Sequence, residues 1–251
     1  MSKKGTRASG GTGRRSGLKI RGPKGFEGSS PSSPKNIMKI AIYAWKFIIL
    51  GTTAAAAGVA LYRLKGLNAG LALASLGVLF ALFSAYFFRD PDRPLPTDPN
   101  KLYSSGDGVI MSVAREGPGG VTTIRTFLSV FDVHVQRLPC SGKVEKVQYV
   151  DGSFVAAMKQ PESFHNERSI VSIACEGRGT IVVEQIAGLI ARRIRCWIGA
   201  GDAAVAGERY GLIQFGSQAA VHMPDGARPL VKAGDRVVGG VTPIAEWIER
   251  N

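Results

Sequence analysis

The chain has 251 residues, room for one ordinary domain and something besides, and its 32 Lys and Arg against 19 Asp and Glu give a formal net charge of +13. Residues 1–35 hold nine basic groups and one acid, residues 36–88 hold four and none, and residues 89–251 are nearly balanced. A nucleic-acid-binding fold would carry its basic stripe on the folded part, so this distribution excludes one and places the charge on a tail beside an apolar stretch.

Residues 1–35 are rich in Gly, Ser, Pro, Lys and Arg and too poor in apolar groups to offset chain entropy, which predicts a disordered basic tail. Such a tail serves either as an arm on anionic lipid or as a targeting leader. Residues 36–88 read as a membrane segment of two helices. Gly66 to Phe88 is 23 residues without a charge, long enough to cross a hydrocarbon core of about 30 Å. Ile40 to Tyr62 is similar in length and contains Lys46, whose long side chain can snorkel to the interface. Two spans make a hairpin with tail and domain on one face, and the tail's charge puts that face in the cytoplasm of a cell membrane.

After Phe88 the run RDPDRPLPTDPN reads as a linker, and within residues 89–251 the strand pattern starts near Lys101. Short β-branched stretches separated by Gly and Asp turns, among them GKVEKVQYV, GTIVVEQIAG and GLIQFGS, predict an all-β sandwich or barrel. Ile244 to Arg250 is expected to close the chain with a turn of helix. Two pieces, residues 141–155 and 230–240, are similar to the turn of lipoyl and biotinyl carrier domains, which predicts a mostly β, barrel-sandwich-like domain behind the hydrophobic helical segment. Cys140, Cys175 and Cys196 are odd in number and widely spaced, so they are expected to be buried or idle thiols in a reducing compartment, with no metal site.

Three histidines exist. His134 stands at an alternating position of a predicted strand, His165 in a polar stretch, and His222 near the end of a strand. Asp107 lies between two glycines, an arrangement shared by ordinary turns and by sites of close backbone approach. Ser217 follows a glycine directly after an apolar strand. Serine, a histidine base and an orienting aspartate together make a nucleophile arrangement, while the absence of G-x-S-x-G excludes an α/β-hydrolase elbow.

The segments Phe131 to Val144, Asn166-Glu-Arg, Gln185 to Cys196 and Gly207 to Ser217 resemble, in order, the phosphatidylserine decarboxylase family in its short bacterial and archaeal form. The resemblance covers residues 89–251. It implies self-cleavage between Gly216 and Ser217 into a large β chain and a small α chain, with Ser217 the precursor of a pyruvoyl prosthetic group. It further implies that Asp107 and His134 activate Ser217; by economy among the histidines, His134 is also expected to give the proton to the substrate carbon, with His222 the alternative. Gln136 stands where many members have Asn, and Gln218-Ala-Ala follows the serine where Arg or Thr is more usual; neither departure is expected to touch the reacting groups.

The chemistry fits the resemblance. Decarboxylating an α-amino acid leaves an electron pair that no ordinary side chain accepts, and this β-rich chain does not suggest a pyridoxal phosphate fold. The implied pyruvoyl ketone would condense with the serine headgroup of phosphatidylserine as a Schiff base and release CO2 and phosphatidylethanolamine. The implied partners are that lipid or an ether-linked serine lipid, an anionic membrane, the chain's own cleaved fragment and a second copy in a homo-oligomer. Arg137 and Arg168 are candidates for holding phosphate or carboxylate. A membrane-anchored carrier, suggested by Ala157-Met-Lys159, and a serine hydrolase are the rival readings.

Overall fold

A computed structural model of the chain describes residues 35–116, 120–155, 165–188, 193–214 and 217–248, with side chains from Tyr43 onward in the first helix. The basic tail, Ala157-Met-Lys159 and Gly216 lie outside the described residues. Helix α1 (Lys35–Lys65) turns at Gly66 (φ +65°) and Leu67 into α2 (Asn68–Phe87). Tyr43–Lys65 and Asn68–Phe87 are both long and apolar enough to cross a membrane.

Small residues explain how closely the two helices pack. Ala44, Gly51 and Gly58 recur every seven residues on α1, and Gly70, Gly77 and Ser84 do so on α2, all buried. A seven-residue repeat keeps one seam of a helix turned to its partner. Here the backbones themselves touch: a Cβ on Gly51 would sit 2.8 Å from the Ala81 nitrogen, and one on Gly58 would strike the Ala74 nitrogen and lie 2.6 Å from the Gly70 oxygen. The rest of the hairpin surface is apolar and open, with Trp45, Ile49, Leu50, Leu76, Leu79 and Leu82 exposed. A water-soluble fold hides such residues; a lipid-facing one does not need to.

Fourteen strands follow among the described residues: β1 (Lys101–Tyr103), β2 (Gly108–Glu116), β3 (Val121–Leu128), β4 (Val135–Arg137), β5 (Gly142–Val150), β6 (Arg168–Cys175), β7 (Gly179–Ile186), β8 (Arg193–Cys196), β9 (Ala203–Ala204), β10 (Arg209–Gln214), β11 (Ser217–Met223), β12 (Ala227–Pro229), β13 (Arg236–Val237) and β14 (Pro243–Trp247). All pairings between them are antiparallel. They form a curled eight-stranded sheet in the order β13-β2-β3-β11-β7-β6-β5-β9 and two three-stranded sheets, β4-β10-β8 and β1-β14-β12. Period-2 alternation aims Val171 and Ile173 of β6, Ile181 and Val183 of β7 and Val221 of β11 into one core, which Leu102, Ile244 and Trp247 of the β1-β14-β12 sheet also enter. The mostly β domain behind an apolar helix pair is as the sequence predicts.

Two expectations change. No turn of helix runs through the start of 244–250: Pro243–Trp247 is the central strand of its sheet, because Ile244 and Ala245 are buried on successive faces between β1 and β12, partners distant in sequence. The two similar pieces also diverge, into nine-residue β5 and two-residue β13, near opposite edges of the large sheet.

The acidic and basic segment after Phe88 has no regular structure before Lys101, yet it is bound along its length. Arg89 donates to the Phe131 carbonyl at 2.6 Å, Asp90 pairs with Arg209 at 2.6 Å and Arg137 at 3.4 Å, and Asp92 pairs with Arg209 at 2.8 Å. Phe87 and Phe88 at the end of α2 join Val133, Val135 and Leu212 in a second core. The hairpin is thereby seated on the sheet β4-β10-β8.

Candidate active site

Ser217 opens β11 opposite Leu128 of β3. Gln214 ends its strand in the sheet β4-β10-β8 and Ser217 opens one in the eight-stranded sheet. Ser217 is fully buried and its Oγ has no hydrogen-bond partner among the described residues. An unpaired buried hydroxyl costs about 1–3 kcal/mol, an expense that a reacting group justifies better than a structural one.

His134 immediately precedes β4, the neighbour of β10. Its carbonyl accepts the Ile213 N–H at 3.2 Å, which places it beside the strand that leads to Ser217. Its Nδ1 lies 2.9 Å from the Asp132 carbonyl. A carbonyl only accepts, so Nδ1 carries the proton, and in the neutral ring the lone pair is on Nε2. The imidazole is fully buried, 4.3 Å from the Phe87 ring between centroids, and this burial lowers its pKa from 6.5 to about 4 against the opposing pull of Asp132 and Asp107. At neutral pH it is an uncharged base.

Asp107 sits just before β2, across β3 from Ser217. Its carboxylate accepts two bonds from Arg93, at 2.7 and 2.8 Å, and one from the Gly239 N–H at 2.8 Å. Gly108 next to it has φ +151°, and a Cβ there would collide with the Phe127 carbonyl, so this approach of β2 to β3 requires glycine. Asp107 is near enough for its charge to act on His134, but the polar contacts of its carboxylate are with Arg93 and Gly239.

Sequence reasoning missed Arg93 and Asp132. Arg93 stands in a segment read as linker, and only the fold carries it to Asp107. Asp132 was visible in the Phe131-Asp-Val-His run but assigned no part; its carboxylate caps the Ser129 N–H at 2.9 Å and accepts from Arg236 at 2.6 Å, fixing the loop that presents His134. Gln136 is closer than expected: it is buried, donates to the His134 carbonyl at 3.3 Å, and its side-chain oxygen would lie 3.0 Å from a Cβ on Gly106. His222 alternates to the face of β11 opposite Ser217, where it meets Thr123 at 2.8 Å and Glu184 at 3.4 Å. His165 is exposed. Arg137 and Arg168 are committed internally, Arg137 to Gly207, Pro91 and Asp90, Arg168 to Asn166 and Glu184.

The family model described as phosphatidylserine decarboxylase matches residues 80–245, a stretch that takes in the end of α2, the bound segment after it and all three candidate residues. The chain belongs to the phosphatidylserine decarboxylase family. Among its relatives, the phosphatidylserine decarboxylase proenzyme of Gluconobacter oxydans is 43% identical over 182 residues, covering 69% of this chain and 81% of that protein. The proenzymes of Paraburkholderia phytofirmans and Symbiobacterium thermophilum are each 41% identical, over 211 and 210 residues, covering 82% of this chain and 96% and 94% of theirs. These decarboxylases are named as proenzymes, in keeping with a family whose prosthetic group is made from the chain. The residues present suit such a group: a buried serine hydroxyl without a partner among the described residues, and a neutral imidazole whose backbone is bonded to the strand that precedes that serine.

Proposed function

We propose that this chain is a phosphatidylserine decarboxylase proenzyme that cleaves itself between Gly216 and Ser217 and then converts phosphatidylserine to phosphatidylethanolamine and CO2. The observation that carries the reading is the buried Ser217 hydroxyl, without a hydrogen-bond partner among the described residues, in a chain whose buried histidine carries its proton on Nδ1. In maturation, Nε2 of His134 takes the Ser217 proton and Oγ adds to the Gly216 carbonyl, replacing the amide by an ester. Loss of the Ser217 α-proton breaks the ester C–O bond, leaving residues 1–216 with a free carboxylate. Hydrolysis of the new N-terminal enamine releases ammonia and leaves the pyruvoyl group on the fragment ending at Asn251.

That group supplies the electron sink the substrate's α-carbon needs when CO2 departs. Around it, the chain's own residues hold the proton and exclude water. His134, neutral at rest, passes to the substrate carbon a proton that Nε2 takes up in the course of the reaction, and Phe87 covers the imidazole. Asp107, fixed by Arg93, contributes negative charge that favours the protonated ring. The substrate stays in the bilayer by its acyl chains, and the hairpin holds residues 89–251 at the surface where the headgroup lies. Because α1 and α2 return the chain to the side it came from, the basic tail and the domain share one face, the cytoplasmic one by the positive-inside rule.

Mass measurement after denaturation tests the reading. The purified protein is expected as two fragments split at 216/217, the smaller blocked to Edman degradation, while Ser217→Ala stays full length and releases no CO2 from phosphatidylserine. An uncut chain that is fully active would refute it.

A further inference from the structure

Strand β8 is an edge of the sheet β4-β10-β8, and its face toward the helices is unusual in composition. Arg193 pairs across the strands with Gln214, and Arg195 with Leu212, so the side chains of Arg193, Arg195 and, by alternation, Trp197 share the face on which Leu212 meets Phe87 and Phe88. The Arg195 guanidinium lies 5.4 Å from the Tyr43 ring on α1, one turn from Lys46. The charges of Arg193 and Arg195 reach Lys46 as well. Three cations therefore converge where α1 meets the domain, and among the described residues none of them has an ion-pair partner.

Buried donors there are equally unsatisfied. Trp197 Nε1, Arg195 Nε and Gln214 Nε2 are buried without hydrogen-bond partners among the described residues, and Gln214 is only 3% exposed. A cluster of buried donors beside cations without anions is the inverse of a phosphate. Its level fixes which phosphate. Asn68–Phe87 is a 20-residue span, about 30 Å long, and Lys46 lies on the turn of α1 beside Phe88, at the domain end of that span. This is the depth of lipid phosphates. The strand carrying Gln214 leads within three residues to Ser217.

We propose that Lys46, Arg193 and Arg195, with the Trp197 and Gln214 N–H groups, form a subsite for the phosphate of the substrate lipid headgroup. The subsite rests on the decarboxylase reading and adds to it a binding role for residues outside the Ser217–His134–Asp107 set. It orients the serine moiety toward position 217 while leaving the departing carboxylate free of cations, which would otherwise hold CO2 in its charged precursor. The product keeps the same phosphate, so it should bind the same subsite.

The test uses full-length protein in mixed micelles, comparing wild type with Arg193→Gln/Arg195→Gln and with Lys46→Gln. The double variant is expected to mature to the same two fragments, with the loss falling on KM, which should rise about tenfold or more. Competitive inhibition by phosphatidylethanolamine should weaken by the same factor, and Arg193→Lys/Arg195→Lys should restore most of the affinity. An unchanged KM in a variant that matures would overturn the subsite and leave the decarboxylase reading intact; a wild-type chain that never cleaves would sink that reading instead. A raised KM with undiminished product inhibition would mean that the cations hold the carboxylate, and competition by inorganic phosphate as strong as that by the lipid would mean a free-phosphate site. Either result also overturns the proposal.

Discussion

At the scale of single residues, Ser217 and His134 become candidates through the family resemblance of the runs around them; by themselves they are one of three histidines and a serine after an apolar strand. The sequence could not show the state in which His134 is held. That state comes from the Asp132 carbonyl and the Phe87 ring, one adjacent in sequence and the other 47 positions away, and it leads to a specific pH dependence. With the native pKa near 4, the imidazole remains a neutral base well below pH 6.5. The rate of self-cleavage, followed on denaturing gels after a pH jump, should therefore be flat from pH 8 to about pH 5 and fall only as pH approaches 4. Stability moves the same way. Between about pH 6.5 and 4 the unfolded chain binds a proton here that the native chain refuses, so unfolding is favoured as pH falls, by on the order of 3 kcal/mol at full effect. His134→Gln should remove this increment of acid sensitivity along with scission. An acid limb near 6.5 in the wild type would mean that a different, exposed group governs the step.

At the scale of elements, strand positions were readable from β-branched runs and turn residues, and β5 coincides with the predicted GKVEKVQYV. What failed were assignments decided by distant partners, as at β14, and segments whose sequence says flexible but whose charges say otherwise. The run from Arg89 to Arg93 is the clearest case, since its alternating charges find complements at Arg137, Arg209 and Asp107, which no local pattern could announce. Cys140 and Cys175, 35 positions apart, likewise come to a 3.1 Å contact between thiols. Arg93 bonds both oxygens of Asp107, and a lysine cannot reproduce that fork. Arg93→Ala and Arg93→Lys should thus both slow conversion of precursor to fragments, by about tenfold or more for the alanine, without releasing the protein from membranes. The hairpin gives a second prediction at this scale. Its seam of Gly51, Gly58, Gly70 and Gly77 has backbone against backbone, so Gly58→Leu must push the helices apart at a cost of at least about 1–3 kcal/mol. The distance between spin labels placed on the exposed surface at positions 50 and 82 should lengthen in that variant, whereas Leu79→Ala should leave it unaffected.

The whole molecule joins these scales, because the hairpin and the site are not separate parts connected by a tether. Phe87 ends the second span and also forms one wall of the His134 environment, while Arg89, Asp90 and Arg93 bind three different pieces of the domain. If the helices were only an anchor, scission, which involves no lipid, would be indifferent to them. The packing says the opposite. Phe87→Ala keeps both spans but opens the ring contact, so water reaches the imidazole and its pKa should climb from about 4 toward 6.5. In that variant, still membrane-bound, self-cleavage at pH 5 should fall severalfold while the rate at pH 8 changes little. A chain beginning at Arg89 should show the same shifted profile in detergent, to a greater degree, since it loses Phe87 and Phe88 together. Identical pH profiles in all three proteins would show that the domain closes its own site, and that the seating of the hairpin serves location alone.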